Sequence, residues 1–142
     1  MKTQLIARQA LVINAPIAAV WDALVNPVMI KQYLFGTNAI SEWKEGSPIV
    51  FTGEWEGKHY EDKGTILRLE PGRLLQYSYF SPMSGQPDTP ENYHTITIEV
   101  SPRGSGTSLS LTQDNNATEE AREHSEKNWG MVLEGMKKIL EG

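Results

Sequence analysis

The hydrophobic period of this chain changes three times, and those changes restrict its fold more than any other feature. From Ile40 to Gln113 apolar residues recur at every second position, whereas on either side they recur at helical spacing. The long middle run breaks at Glu45-Gly46-Ser47, Glu56-Gly57-Lys58, Glu70-Pro71-Gly72 and Arg103-Gly104-Ser105-Gly106, all of them turn chemistry. Strands are predicted over Ile40–Trp43, Pro48–Trp55, His59–Leu69, Leu74–Phe80, Tyr93–Val100 and Thr107–Gln113. Short turns between consecutive strands make antiparallel neighbours. The longest irregular stretch, Ser81 to Glu91, carries Pro82, Gly85, Pro87 and Pro90, and loops of this length tend to be functional or mobile.

The flanks complete the pattern. Leu5, Ala7, Gln9, Leu11 and Ile13 alternate over Gln4 to Ile13 and predict a first strand with one buried face. Pro16 then suits a helix start, because its missing N–H would be unsatisfied there anyway. Ile17, Val20, Trp21 and Leu24 fall on one helical face. Asn26-Pro27 ends that helix and caps a second, over Val28 to Leu34, which stops before Gly36.

A last helix is predicted over Thr118 to Leu140, opening at Asn116 or Thr118, with Glu119 and Glu120 matching the positive end of its macrodipole. Its inward stripe is Ala121, Ser125, Trp129, Val132, Leu133, Met136, Ile139 and Leu140. The C-terminal half of the stripe is apolar and should dock as core. The N-terminal half has only Ala121 and Ser125 and can cover an opening without filling it. Glu123/Lys127 and Glu134/Lys138 are spaced as i,i+4 ion pairs on the far side. The expected fold is α+β: a curved antiparallel sheet wrapped around the long C-terminal helix, with two short helices after the first strand, as one domain over residues 1–142.

Composition removes several functions. The net charge of −5, without a basic cluster, argues against nucleic acid, where binding neutralises phosphates with Lys and Arg, and against anionic membrane surfaces. No apolar run approaches the ~20 residues needed to cross a membrane, and Met1-Lys2-Thr3-Gln4 does not read as a signal peptide, so a cytoplasmic location is expected. With no cysteine there is neither a disulfide nor thiolate chemistry. His59, His94 and His124 are isolated, and no pair has metal-ligand spacing, so neither a metal nor a covalent cofactor is expected. There is no Gly-x-Ser-x-Gly elbow, and Gly104-Ser105-Gly106 is a hairpin turn rather than a phosphate cradle.

The order strand, two short helices, six strands, long helix is that of the helix-grip fold. The run Ala15-Pro16-x-x-x-Val20-Trp21-x-Ala23-Leu24-x-Asn26-Pro27, followed by Lys31-Gln32-Tyr33, resembles the START-like superfamily. Within it, Gly53-x-Trp55, Gly64-Thr65-Ile66, Glu70-Pro71, Leu109-x-Leu111-Thr112-Gln113 and His124-x-x-x-Asn128-Trp129-x-x-x-Leu133 are similar to the family named for the C-terminal domain of the activator of the ninety-kilodalton heat-shock chaperone's ATPase. The resemblance implies a fold whose relatives bind or turn over assorted hydrophobic ligands. The eukaryotic activator carries a further N-terminal domain that makes the main chaperone contact. These 142 residues leave no room for it, so weak or no stimulation of a chaperone ATPase is expected.

The candidate site is aromatic. Trp21, Tyr33, Phe51, Trp55, Tyr77, Tyr79 and Trp129 all lie on regular elements, and alternation puts Phe51 with Trp55, and Tyr77 with Tyr79, on common faces. Trp129 is expected to face Tyr79 across a cavity lined also by Trp21, Tyr33, Phe51, Trp55, Tyr77 and Val132. The same residues could equally be plain core, and both readings stay open. Of the carboxylates, Glu54 is expected to point to solvent, and Glu61 and Asp62 face opposite sides, so only one can enter a cavity. Three functions follow. The first is a binding module for a small hydrophobic or amphipathic molecule. The second is a cyclase- or hydrolase-like enzyme using His94, Glu61 or Tyr79. The third is an interaction protein with a chaperone partner. Monomer and homodimer both remain open.

Overall fold

Turn geometry organises the sheet. The computed structural model describes residues 5–141, apart from the side chain of Trp55. The element order is β1 (Ala7–Ile13), α1 (Ile17–Val25), α2 (Pro27–Tyr33), β2 (Asn38–Ser41), β3 (Pro48–Trp55), β4 (Lys58–Glu70), β5 (Leu74–Tyr79), β6 (His94–Arg103), β7 (Gly106–Gln113) and α3 (Glu119–Glu141). The strands form one curved antiparallel sheet in the order β1-β7-β6-β5-β4-β3-β2. Between β3 and β4 only Glu56 and Gly57 turn the chain, both with positive φ (50° and 78°), which matches the right-handed twist of the flanking strands. That turn sets the register that places Phe51 across from Asp62 and Gly53 across from Tyr60.

Two glycines are dictated by close approach. A Cβ on Gly64 would lie 1.7 Å from the Ser78 carbonyl oxygen, where β4 leaves β3 and joins β5. A Cβ on Gly53 would lie 2.5 Å from the Tyr60 hydroxyl, so glycine lets that ring lie across β3. The Tyr60 hydroxyl pairs with Thr37 Oγ1 at 2.5 Å.

The predicted boundaries shift where local chemistry outweighs the pattern. The expected strand start at Gln4 lies outside the described residues. Strand β2 ends at Ser41 rather than Trp43, because Trp43 takes a left-handed φ of 55° and its N–H donates to Ser41 Oγ at 3.0 Å. Strand β6 runs on to Arg103 through Pro102. Its pairing with β5 stops at Glu99, so Pro102 sits where β6 needs no donor on that side. Helix α2 starts at Pro27, with Asn26 Oδ1 accepting from Val28 N at 3.0 Å. Helix α3 is capped by Thr118, whose Oγ1 accepts from Ala121 N at 3.0 Å. The expected pairs Glu123/Lys127 and Glu134/Lys138 do not form among the described residues. Arg122 instead pairs with Glu119 and Glu126, and Lys137 with Glu141. Arg122 reaches both carboxylates with one planar fork, which a lysine cannot do.

The core lies between the inner face of the sheet and the helices. Ile66, Leu75, Ile96, Leu109 and Leu111 from the strands meet Val20 of α1, Ile30 of α2 and Val132, Leu133 and Met136 of α3. Lys137 Nζ donates to Val12 O at 2.8 Å and Gln9 Nε2 to Glu126 O at 2.7 Å, which ties α3 along edge strand β1. No helix among the described residues is long and apolar enough to cross a membrane.

Candidate ligand cavity

Strand alternation aims Phe51, Asp62, Tyr77 and Tyr79 to one face, and α3 lays Trp129 over them. The Phe51 ring lies 5.7 Å from that of Tyr77 and 5.8 Å from that of Tyr79, both tilted, an arrangement aromatic pairs favour. Together with Leu34, Phe35 and Thr37 after α2 and with His124, Ser125 and Asn128 on α3, they line an open cavity of about 370 Å3. Ser81 and Met83, from the long loop between β5 and β6, complete its mouth. Phe35 is 69% exposed and holds a left-handed φ of 54° there.

Beneath this opening the packing closes. Leu24, Ile30, Tyr33, Ile49, Leu75, Val132, Leu133 and Met136 leave a void of only about 30 Å3, and Trp129, Phe51 and Tyr77 border both spaces. Trp129 therefore stands where packed core gives way to cavity. Its indole Nε1 donates to Gln113 Oε1 at 2.7 Å. Gln113 Nε2 donates in turn to Asn116 Oδ1 and Ser125 Oγ, each at 3.3 Å. Buried Asn116 donates to Leu5 O at 2.9 Å. The N-terminal half of α3 is held by amides and a hydroxyl rather than by apolar packing.

Among the polar groups that line the cavity, the carboxylate of Asp62 is buried, at 8% exposed. The Tyr79 hydroxyl donates to its Oδ2. Its Oδ1 is buried without a hydrogen-bond partner among the described residues. Burial, then the charge of Asp62 and the hydrogen bond to it, push the Tyr79 phenol far up, so that it acts as a donor and not as a base. Burial likewise raises Tyr77 and Tyr33, and the Tyr33 hydroxyl donates to Ala23 O at 2.8 Å.

The expected site residues thus separate into groups. Phe51, Tyr77, Tyr79 and Trp129 line the open cavity. Tyr33 and Val132 belong to the packed interior below it. Trp21 packs half-buried against the core and lines neither space. The side chain of Trp55 lies outside the described residues. The trio His94, Glu61 and Tyr79 does not converge. Glu61 is exposed on the far face of β4, and the His94 Nδ1 sits 2.9 Å from Asp114 O, beside an open polar groove of about 710 Å3 that adjoins the cavity at Gln113, His124 and Ser125 and has no Phe, Trp or Tyr in its lining. Of Glu61 and Asp62 it is Asp62 that enters the cavity, and Glu54, though exposed as expected, also reaches its lining. The two-residue turn at Glu56-Gly57, read together with an inward Phe51, was the signal for Asp62.

These features meet in a known family. The family described as Activator of Hsp90 ATPase homolog 1-like protein matches residues 14–141. The chain belongs to that family. Its helix-grip fold, with a long helix against a curved antiparallel sheet, is shared by solved relatives of this and related kinds. The solution structure of ChR145 from Cytophaga hutchinsonii is 58% identical, covers 99% of this chain and 97% of its own, and superposes with a TM-score of 0.88. CalU16 from Micromonospora echinospora is 25% identical over 96% of this chain and 75% of its own, with a TM-score of 0.70. The Aha1 dimer from Colwellia psychrerythraea shares the fold at 16% identity, covering 96% of each chain with a TM-score of 0.73. No curated protein matches the sequence.

Proposed function

We propose that this Activator of Hsp90 ATPase homolog 1-like protein works as one domain that takes a small hydrophobic or amphipathic molecule into the cavity between its sheet and the N-terminal half of α3. The observation that carries this reading is the cavity of about 370 Å3, walled by Phe51, Tyr77, Tyr79 and Trp129 directly above a packed core. Its size and apolar walls with a few polar groups are those of small-molecule sites. A ligand there stacks on aromatic faces and displaces loosely held water, while a polar group at the cavity wall fixes its orientation. A cytoplasmic location fits this role.

Titration with 2-methylnaphthalene, followed by the indole N–H resonances in a nitrogen-proton correlation spectrum, tests the proposal. The Trp129 indole should shift strongly and the Trp21 indole should not. No shift at probe saturation would favour plain packing. Trp129→Ala should weaken probe binding, read from the backbone amide shifts around the cavity, in a protein that still folds, at a stability cost of roughly 3–5 kcal/mol where the ring packs as core.

The family match supports a second reading, a surface contact with an Hsp90-type chaperone. Stimulation of that ATPase by this chain alone is expected to be weak or absent. A several-fold rate increase at micromolar protein would make the contact the better account. The dimeric Colwellia neighbour makes sedimentation of this chain, as monomer or homodimer, the companion measurement.

A further inference from the structure

Resting on the reading that the cavity binds a small molecule, we infer that its ligand is an amphipathic amine, whose ammonium head pairs with Asp62 and whose apolar body lies against Phe51, Tyr77 and Trp129. Three observations converge on this class.

Asp62 is the first. It is more than nine-tenths buried and lines the cavity, and Tyr79 satisfies only its Oδ2. The Oδ1 atom is left without a donor among the described residues. A buried carboxylate oxygen in that state is unfavourable, so a turn of the Asp62 side chain that presents it to a donor in the cavity costs the free protein little and gains the bound one a hydrogen bond. Only a ligand group that donates can supply what is missing, and a donor carrying positive charge supplies most.

The charge of the lining is the second. Asp62 and, at the rim, Glu54 are its carboxylates, and no lysine or arginine lines the cavity among the described residues. An anionic amphiphile such as a fatty acid would meet two like charges and neither a lysine nor an arginine, with His124 the one ionisable nitrogen of the described lining, whereas an ammonium meets two opposite charges. The third is the aromatic wall around the carboxylate. Phe51, Tyr77, Tyr79 and Trp129 offer ring faces, and those faces attract cations. A carboxylate set among aromatic faces is complementary to an alkylammonium and not to a carboxylate or phosphate.

Four probes with one aromatic body test the inference by calorimetry at pH 7: 2-naphthylmethylamine, 2-naphthylmethanol, 2-naphthoate and 2-methylnaphthalene. The amine should bind about tenfold tighter than the alcohol, and the carboxylate should be the weakest of the four. Asp62→Asn keeps the shape of the side chain and should erase the advantage of the amine over the alcohol. If this variant does not fold, the ranking on the wild-type protein decides alone. An amine that binds no tighter than the alcohol, or a naphthoate that binds as tightly as the amine, overturns the inference. Should 2-methylnaphthalene bind and the amine show no preference, the cavity reading stands and the assignment of its ligand falls. Binding by none of the four overturns both.

Discussion

From Val132 to Met136, α3 buries three apolar side chains against the sheet, and the space beneath closes to about 30 Å3. From Ala121 to Asn128 the same helix presents His124, Ser125 and Asn128 to an opening of about 370 Å3, and it is held there by the Gln113–Asn116–Ser125 hydrogen bonds. Helix and sheet are the same in both regions, so the cavity arises where the apolar stripe is shorter than the helix that carries it. The inner half supplies stability. The outer half is free to be a site because the inner half already pins the helix to the sheet.

That contrast is open to direct test. Met136 is fully buried, so Met136→Ala should cost about 2–5 kcal/mol, read from urea unfolding. A cost below about 1 kcal/mol would mean that the inner half is not tightly packed, and the contrast would collapse.

Next in size is an alkaline effect that reports both regions. Burial holds the phenols of Tyr33 in the inner region, of Tyr77 on the border between the two regions and of Tyr79 in the cavity above the value of about 10 for a free tyrosine. The folded protein therefore keeps these protons more tightly than the unfolded chain does. The stability from this source is complete below about pH 10 and falls as pH rises above it. Absorbance titration near 295 nm should show these three phenols ionising only together with unfolding. Ionisation of any of them in a still-folded protein near pH 10 would place that ring in water and redraw the boundary.

A smaller effect, with the opposite sign, belongs to the outer region. Asp62→Asn removes the unpaired buried charge and keeps an acceptor for Tyr79, so it should raise stability by about 1 kcal/mol in thermal unfolding. A clear loss of stability would show that Oδ1 is satisfied in the free protein. Smallest of all, Asn128→Ala on the exposed outer turn should stay within about 0.5 kcal/mol of the wild type, which marks how little of the fold depends on the cavity wall.

Much of the architecture could be read without coordinates. The switch from period two to period 3.6 at Thr118, the Asn26-Pro27 cap and the glycine-bearing turns are local chemistry, and each element they predict is present within a few residues of its expected bounds. The thinning of the α3 stripe at Ser125 and Ala121 marked which half of the helix would leave space. Trp21 shows where such reading stops. It shares a helical face with Ile17, Val20 and Leu24, yet that face is wide enough for Val20 to be fully buried while Trp21 packs half-exposed outside the cavity. Spacing says which residues share a stripe and not which edge of the stripe meets which neighbour.

Alone, the sequence determined the order of the elements, the antiparallel pairing and the places where the chain turns, because sterics, turn dihedrals and side-chain alternation act over a few residues; the register that sets Asp62 across from Phe51 came with the structure, which pairs Lys58 with Trp55 instead of leaving it in the turn. Tertiary structure decided the rest. It bound Tyr79 to one oxygen of Asp62 and left the other bare, and it hung Trp129 on Gln113 across 16 positions of sequence. It also divided one row of aromatics into packed core and cavity wall. A cavity is the space left over when distant elements pack to different depths, and no local rule carries that depth.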